Sequence, residues 1–131
     1  MAVKCVLDTN IILSAALSDK NYSRRIFDAV LEKEIKMYLT EEIIWEYKNV
    51  LSRDYFNILR EKVGRMINIV RKLGVMICPE ITDFPMQDES DRIFFDTAQK
   101  SEAWLITGNI KHYPKQNFII TPANFCRKFN L

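Results

Sequence analysis

The sequence predicts an α/β fold, a central and mostly parallel sheet with helices on both faces. Two observations carry that reading. Short, β-branched or apolar runs alternate along the whole chain with longer runs of helical period. The first of the short runs is apolar on both faces, as a strand covered on both sides must be.

The elements follow in order. Val3 to Leu7, "VKCVL", is a first and central strand, and "NIILSAAL" after it reads as a helix. "YSRRIFDAVLEKE" places Ile26, Phe27, Val30 and Leu31 on one stripe, so it is a second helix. Ile35 to Leu39 is the second strand. Thr40 then supplies a hydroxyl cap, with Glu41 and Glu42 in the first turn behind it. The third helix so begun carries Ile43, Ile44, Tyr47, Val50 and Leu51 on one face. "NILREKVGRMINIVRKLG" is the fourth helix, with Gly74 as its stop. "VMIC" is the third strand, and "PEITDFPMQDE" is the one long loop. "SDRIFFDTAQKSEA" is the fifth helix, "WLIT" the fourth strand, and Gly108-Asn109 turns the chain. "FII" is the fifth strand. Thr121 as cap and Pro122 at the first helical position open a last helix, "TPANFCRKF".

Bulk properties bound the function. The chain has 131 residues and is 48% hydrophobic, which suits one domain with one core. Lys and Arg number 19 against 17 Asp and Glu, a formal charge of +2 that permits a nucleic-acid partner without demanding one. Cys5, Cys78 and Cys126 are odd in number and form no CxxC pair, so they read as reduced, mostly buried thiols of a cytosolic protein. No secretory leader is visible at the start, and no run is apolar enough for a membrane span.

Exclusion narrows the chemistry further. The glycines are Gly64, Gly74 and Gly108, so neither a dinucleotide fingerprint nor a Walker loop can be written, and no nucleotide cofactor is expected. A single histidine, His112, and scattered cysteines do not make a zinc site. No GxSxG elbow exists. What remains is carboxylates, which suit hard cations such as Mg²⁺ or Mn²⁺.

In an open parallel sheet, ligands bind beyond the carboxyl ends of the strands, where strand order reverses. Asp8 ends the first strand, and Asn109 follows the fourth by two residues. If those strands are neighbours, the two side chains meet. A helix that precedes a strand runs antiparallel to it, so Asp91, near the start of the fifth helix, lies at the same edge. Asp96 sits five residues further along, about 7 Å down the axis. In the third helix, Glu46 flanks the apolar stripe more closely than Glu42, whereas Glu42 is nearer the helix start; geometry leaves that choice open. Each acid also has a purely local explanation. Asp8 could only cap the next helix, Asp91 only favour a helix dipole, Glu46 only face solvent, and Asn109 only make a turn.

Taken together, these residues resemble the PIN domain family of metal-dependent nucleases, which includes VapC-type toxins, and the resemblance covers essentially the whole chain. "VLDTNIILSA" resembles the family's opening strand-Asp-Thr-Asn motif. "EEIIWEYKNVLSR" resembles the helix in which a glutamate precedes a Val-Leu pair, and the match falls on Glu46. "DESDRIFFDTA" resembles the third acidic motif, with Asp91 seven residues before Ala98. "LITGNIKHYP" resembles the closing strand-Thr-Gly-acid motif of a toxin subgroup. Many members carry aspartate where this chain has Asn109; an amide keeps an oxygen donor but loses a charge. A receiver-like phosphoacceptor is disfavoured, because Asp8 stands alone after its strand.

The resemblance implies a three-layer α/β/α sandwich with a five-stranded sheet in the order 3-2-1-4-5, about six helices, and one domain over residues 1–131. It implies a ribonuclease cutting single-stranded RNA as the toxin of a toxin–antitoxin pair. Asp8, Glu46, Asp91 and Asn109 would be the catalytic and metal-holding residues. Thr9, Asn10 and Thr107 would support them, with Asp88 or Asp96 behind. Lys111, His112 and Lys115 could contact phosphates, and Lys20, Arg24 and Arg25 form a second basic candidate. A protein antitoxin, a homodimer and a cytoplasmic location follow likewise, and an outward-facing Phe95 would be compatible with the dimer. The alternative is a degenerate PIN fold that binds RNA or protein without cutting, which Asn109 favours.

Overall fold

The apolar run that opens the chain becomes the middle of the sheet. The structure is a computed structural model that describes residues 2–51 and 57–131; the side chains at 51, 57 and 58 are outside the description, including the Leu51 expected on the third helix's stripe. Five strands, β1 (Val3–Leu7), β2 (Ile35–Leu39), β3 (Val75–Met76), β4 (Trp104–Ile106) and β5 (Ile119–Ile120), form one parallel sheet in the order β3-β2-β1-β4-β5. This is the α/β/α fold and strand order that the sequence led us to expect. β1 pairs with β2 on one side and β4 on the other, with Leu7 opposite Ile106. The order therefore reverses between β1 and β4, at the end of β1 that carries Asp8.

Six α-helices connect the strands among the described residues: α1 (Thr9–Leu17), α2 (Tyr22–Leu31), α3 (Glu41–Leu51), α4 (Asn57–Leu73), α5 (Arg92–Ser101) and α6 (Pro122–Phe129). Their starts obey the expected caps. Thr40 Oγ1 accepts from Ile43 N at 3.0 Å, and Thr121 Oγ1 from Asn124 N at 3.2 Å. α1 lacks a basic residue in its last turn, and Lys62 of α4 supplies one from across the layer, donating to the Ala16 carbonyl at 2.7 Å. α5 packs across β1, β2 and β4, while α1, α2, α4 and α6 pack against one another. Both faces of the sheet are thereby dry, and Val6, Leu7, Leu105 and Ile106 are fully buried.

Two details of the fifth helix depart from expectation. The fifth helix starts later, because Glu89–Asp91 form a 3-10 turn before it. Phe95 is not an outward residue; it is fully buried, with its ring 5.0 Å from that of Phe84 and 5.4 Å from that of Phe118. The long loop folds back over this flank of α5, so the helix is covered on a side that its own period reads as open. All three cysteines are free, but Cys78 is exposed while Cys5 and Cys126 are buried.

Gly74 ends α4 for a steric reason. No glycine has positive φ, so the left-handed helix stop does not apply. A Cβ at this position would meet Leu39 Cδ1 at 2.5 Å and the Val70 carbonyl oxygen at 2.8 Å. Leu39 is fully buried in β2, and a backbone oxygen cannot step aside. Gly74→Ala is expected to destabilise the fold by about 2 kcal/mol, read as a lower urea midpoint at unchanged slope. A midpoint equal to the parent's would contradict this packing.

Candidate functional site

At the switch point Asp8 is 8% exposed and closely held. Its Oδ1 accepts from Thr9 N at 2.7 Å, so it does cap α1. Capping uses only one of its oxygens. Oδ2 accepts from the Thr107 hydroxyl at 2.7 Å and from the Tyr113 hydroxyl at 3.1 Å. Burial raises the Asp8 pKa above the ordinary value, and the bonds from Thr107, Thr9 and Tyr113 oppose that shift by favouring the carboxylate. Thr107, wholly buried at the end of β4, also accepts from Asn109 N at 3.0 Å. One hydroxyl thus ties the end of β1 to the turn after β4.

Glu46 comes to the same place through its neighbour. Tyr47 is 1% exposed, and its hydroxyl donates to the Leu7 carbonyl at 2.6 Å. That bond fixes α3 against the last residue of β1, with Glu46 on the side facing Asp8's cleft. Glu42, a turn earlier, lines two other depressions instead, one with Ile81 and Arg92 and one with Met76 and Cys78.

Asp91 closes the 3-10 turn Glu89–Asp91 and stands immediately before α5, yet its side chain makes no capping bond. Its pKa is pushed up to about 6, first by burial, then by the charges of Asp8 and Asp88, with a further contribution from Glu46, while His112 lowers it. Asp88 is different. Its Oδ1 accepts from Ser90 N at 2.9 Å and from Ser90 Oγ at 2.8 Å, which holds its carboxyl below the usual range. It stays ionised beside Asp91.

Asp8, Glu46, Asp91 and Asn109 line a single open cleft of about 320 Å³, together with Thr9, Asn10, Asp88, Ser90 and His112. Of the other residues singled out in the sequence, Thr107 stands behind Asp8. Lys111 lines an adjoining hollow of about 290 Å³ that shares Asn109 and His112 with the cleft, and Lys115 is exposed but lines neither. Asp96 is not brought to the cleft. It is 3% exposed and is bound instead to Thr82, whose hydroxyl donates at 2.5 Å and whose N–H donates at 3.2 Å. In the second basic candidate, Arg24 is paired with Asp28 and Asp19, and Arg25 stacks on the Tyr22 ring. Sequence reasoning missed Tyr113 and Ser90. Tyr113 lies within the closing motif "LITGNIKHYP", which was the available signal for it.

The donors in the cleft are oxygens of carboxylates, amides and hydroxyls, apart from His112. Such a set fits a hard divalent cation, which would offset both the burial and the neighbouring carboxylates that raise the Asp91 pKa. The fit is one of chemistry rather than of finished geometry. Among the described residues no three His, Cys, Asp or Glu side chains are already gathered closely enough to hold an ion.

The PIN domain family model matches residues 4–111. A curated relative, the uncharacterised protein MJ1680 of Methanocaldococcus jannaschii, is 27% identical over 110 residues, covering 82% of this chain and 71% of its own. Two solved structures share the fold. PAE2754 from Pyrobaculum aerophilum superposes with a TM-score of 0.66 at 14% identity, over 99% of this chain and 91% of its own. VapBC2 from Rickettsia felis, solved bound to a DNA fragment from its promoter, gives a TM-score of 0.61 at 16% identity, over 91% of this chain and 97% of that one. Among the described residues no helix is long and apolar enough to cross a membrane.

Proposed function

The chain belongs to the PIN domain family, and from that membership we propose that it is a metal-dependent endoribonuclease that hydrolyses single-stranded RNA. The observation that carries the reading is the cleft itself: Asp8, Glu46, Asp91 and Asn109, from four separate stretches of sequence, line one hollow at the carboxyl edge of the sheet. Asp8, Glu46 and Asp91 would hold Mg²⁺ or Mn²⁺, with Asn109 as a neutral oxygen donor. When bound, the cation supplies a Lewis acid for the phosphodiester and a hydrolytic water active near neutral pH. The remaining work belongs to side chains. Thr107, Tyr113 and the Thr9 N–H fix the direction of the Asp8 carboxylate. Burial and the neighbouring Asp8 push the Tyr113 phenol far above its ordinary pKa, so it remains a donor to Asp8. Lys111 offers positive charge and His112 a ring N–H donor to the phosphates beside the cleft, with Lys115 further along the same stretch.

The chain's fold resemblance to VapBC2 supports a toxin role with a protein antitoxin as partner. The family resemblance further supports a homodimer in the cytoplasm, with each chain a single PIN domain over residues 1–131. The test of the main reading is incubation of the purified protein with a mixed RNA pool, with Mn²⁺ or with EDTA. Cleavage products that require Mn²⁺ are expected; intact RNA under both conditions would reject the reading.

One observation favours a second reading, a degenerate PIN fold that binds without cutting. Asn109 withholds a negative charge that many relatives place there. Asn109→Asp is therefore expected to raise Mn²⁺ affinity about 10-fold, as one added carboxylate contact between opposite charges in a partly buried cleft would. Calorimetry measures it. No Mn²⁺ uptake by either protein at millimolar metal would favour the degenerate reading.

A further inference from the structure

Four carboxylates, Asp8, Glu46, Asp88 and Asp91, line the cleft and repel one another, so something must hold the most loosely anchored of them in place. Asp8 is pinned by three donors, and Glu46 sits beside the Tyr47–Leu7 bond. Asp91 has no side-chain capping bond and rides on a short 3-10 turn at the end of a long loop. Its neighbour Arg92 points away from the cleft and is 15% exposed. The Arg92 guanidinium grips the turn and the loop at once. Nε and Nη2 donate to the two carboxylate oxygens of Glu89, at 2.7 and 2.9 Å. Nη1 donates to the Thr82 carbonyl and Nη2 to the Phe84 carbonyl, each at 2.7 Å. Thr82 is in turn fastened to the buried Asp96 of α5 through both its hydroxyl and its N–H.

We propose that Arg92 is a positioning residue for the cleft: by clamping Glu89, Thr82 and Phe84 it holds the Glu89–Asp91 turn so that Asp91 faces Asp8 and Glu46. The clamp uses the planar fork of arginine. Two donors meet a carboxylate while others reach two carbonyls, a pattern that the single point charge of lysine cannot reproduce. Arg92 does not line the cleft, so it acts through the turn rather than on a ligand. This role also gives the buried Asp96 a purpose outside the cleft. Asp96 anchors the far end of the clamp.

The proposal rests on the cleft being a cation site, and its test separates the two ideas. Arg92→Ala and Arg92→Lys are compared with the parent and with Gly74→Ala, whose defect lies where the end of α4 meets Leu39 and Val70, none of them a partner of the Arg92 clamp. In metal-free protein, amide exchange at residues 89–92 is expected to quicken at least 10-fold in both Arg92 variants, with β1 unchanged. Mn²⁺ affinity is expected to fall about 10-fold in both and to hold in Gly74→Ala. Arg92→Lys keeps the stem and charge, so it serves if Arg92→Ala does not fold. Unchanged exchange, or unchanged Mn²⁺ affinity despite faster exchange, overturns the proposal. A parent that takes up no Mn²⁺ overturns the cation site itself, and with it the role of Arg92, whatever the exchange rates are.

Discussion

Asp8→Asn is expected to lower Mn²⁺-dependent cleavage of the RNA pool by about 10³-fold, the scale seen when one member of a catalytic unit is removed. The fold should survive. The asparagine can still accept the Thr9 N–H through its carbonyl oxygen. Its amide nitrogen cannot accept from Thr107 or Tyr113, which leaves those hydroxyls to find other geometry at a cost of about 1–2 kcal/mol. That cost is offset, because burial makes the ionised Asp8 unfavourable at neutral pH and the amide carries no charge. A melt within a few degrees of the parent, together with lost cleavage, is the expected pair of results. Cleavage within threefold of the parent would remove Asp8 from the mechanism.

The same residue illustrates how far the sequence could be read. Asp8 and Asn109 were legible because a parallel sheet brings strand ends to one edge, and the apolar runs before them are short and unambiguous. Glu46 was different. Helix geometry placed both Glu46 and Glu42 near the edge, and only the resemblance separated them. In the structure the separation comes from the Tyr47 hydroxyl on the Leu7 carbonyl, a bond across 40 residues that no local pattern encodes. Tyr113 was illegible for a similar reason. It reaches Asp8 from 105 residues away, through the 3-10 turn Ile110–His112, which has no strong sequence signature. Phe95 was read as outward because helical period knows nothing of a loop that returns to cover it. Asp96 was set further along α5 and kept only as a support behind the others, and the same returning loop claims it through Thr82.

Asp91→Asn is expected to separate stability from function. In the folded protein the Asp91 pKa stands near 6, above its ordinary value of 3.8. The sign follows from linkage. A carboxyl with a raised folded pKa stabilises the fold while protonated, fully so below about pH 4, and that contribution is lost as pH rises through 6. Above pH 6 the ionised Asp91 is a liability to the metal-free fold. An amide removes the liability, so with EDTA at pH 7.5 the variant is expected to exceed the parent by about 1 kcal/mol, the full shift being discounted because the side chain is only half buried. At pH 4 the two should melt together. Mn²⁺ reverses the order at pH 7.5, since the parent gains the free energy of binding and the variant lacks a ligand. Cleavage by the variant should fall by about 10²–10³-fold, and Mn²⁺ binding by the parent should weaken below pH 6 as Asp91 takes up a proton. Thermal melts at the two pH values, with and without Mn²⁺, read every part of this. A variant less stable than the parent in EDTA at pH 7.5 would mean that Asp91 is held by a structural partner, and the crowding of carboxylates that motivates a cation here would lose its support.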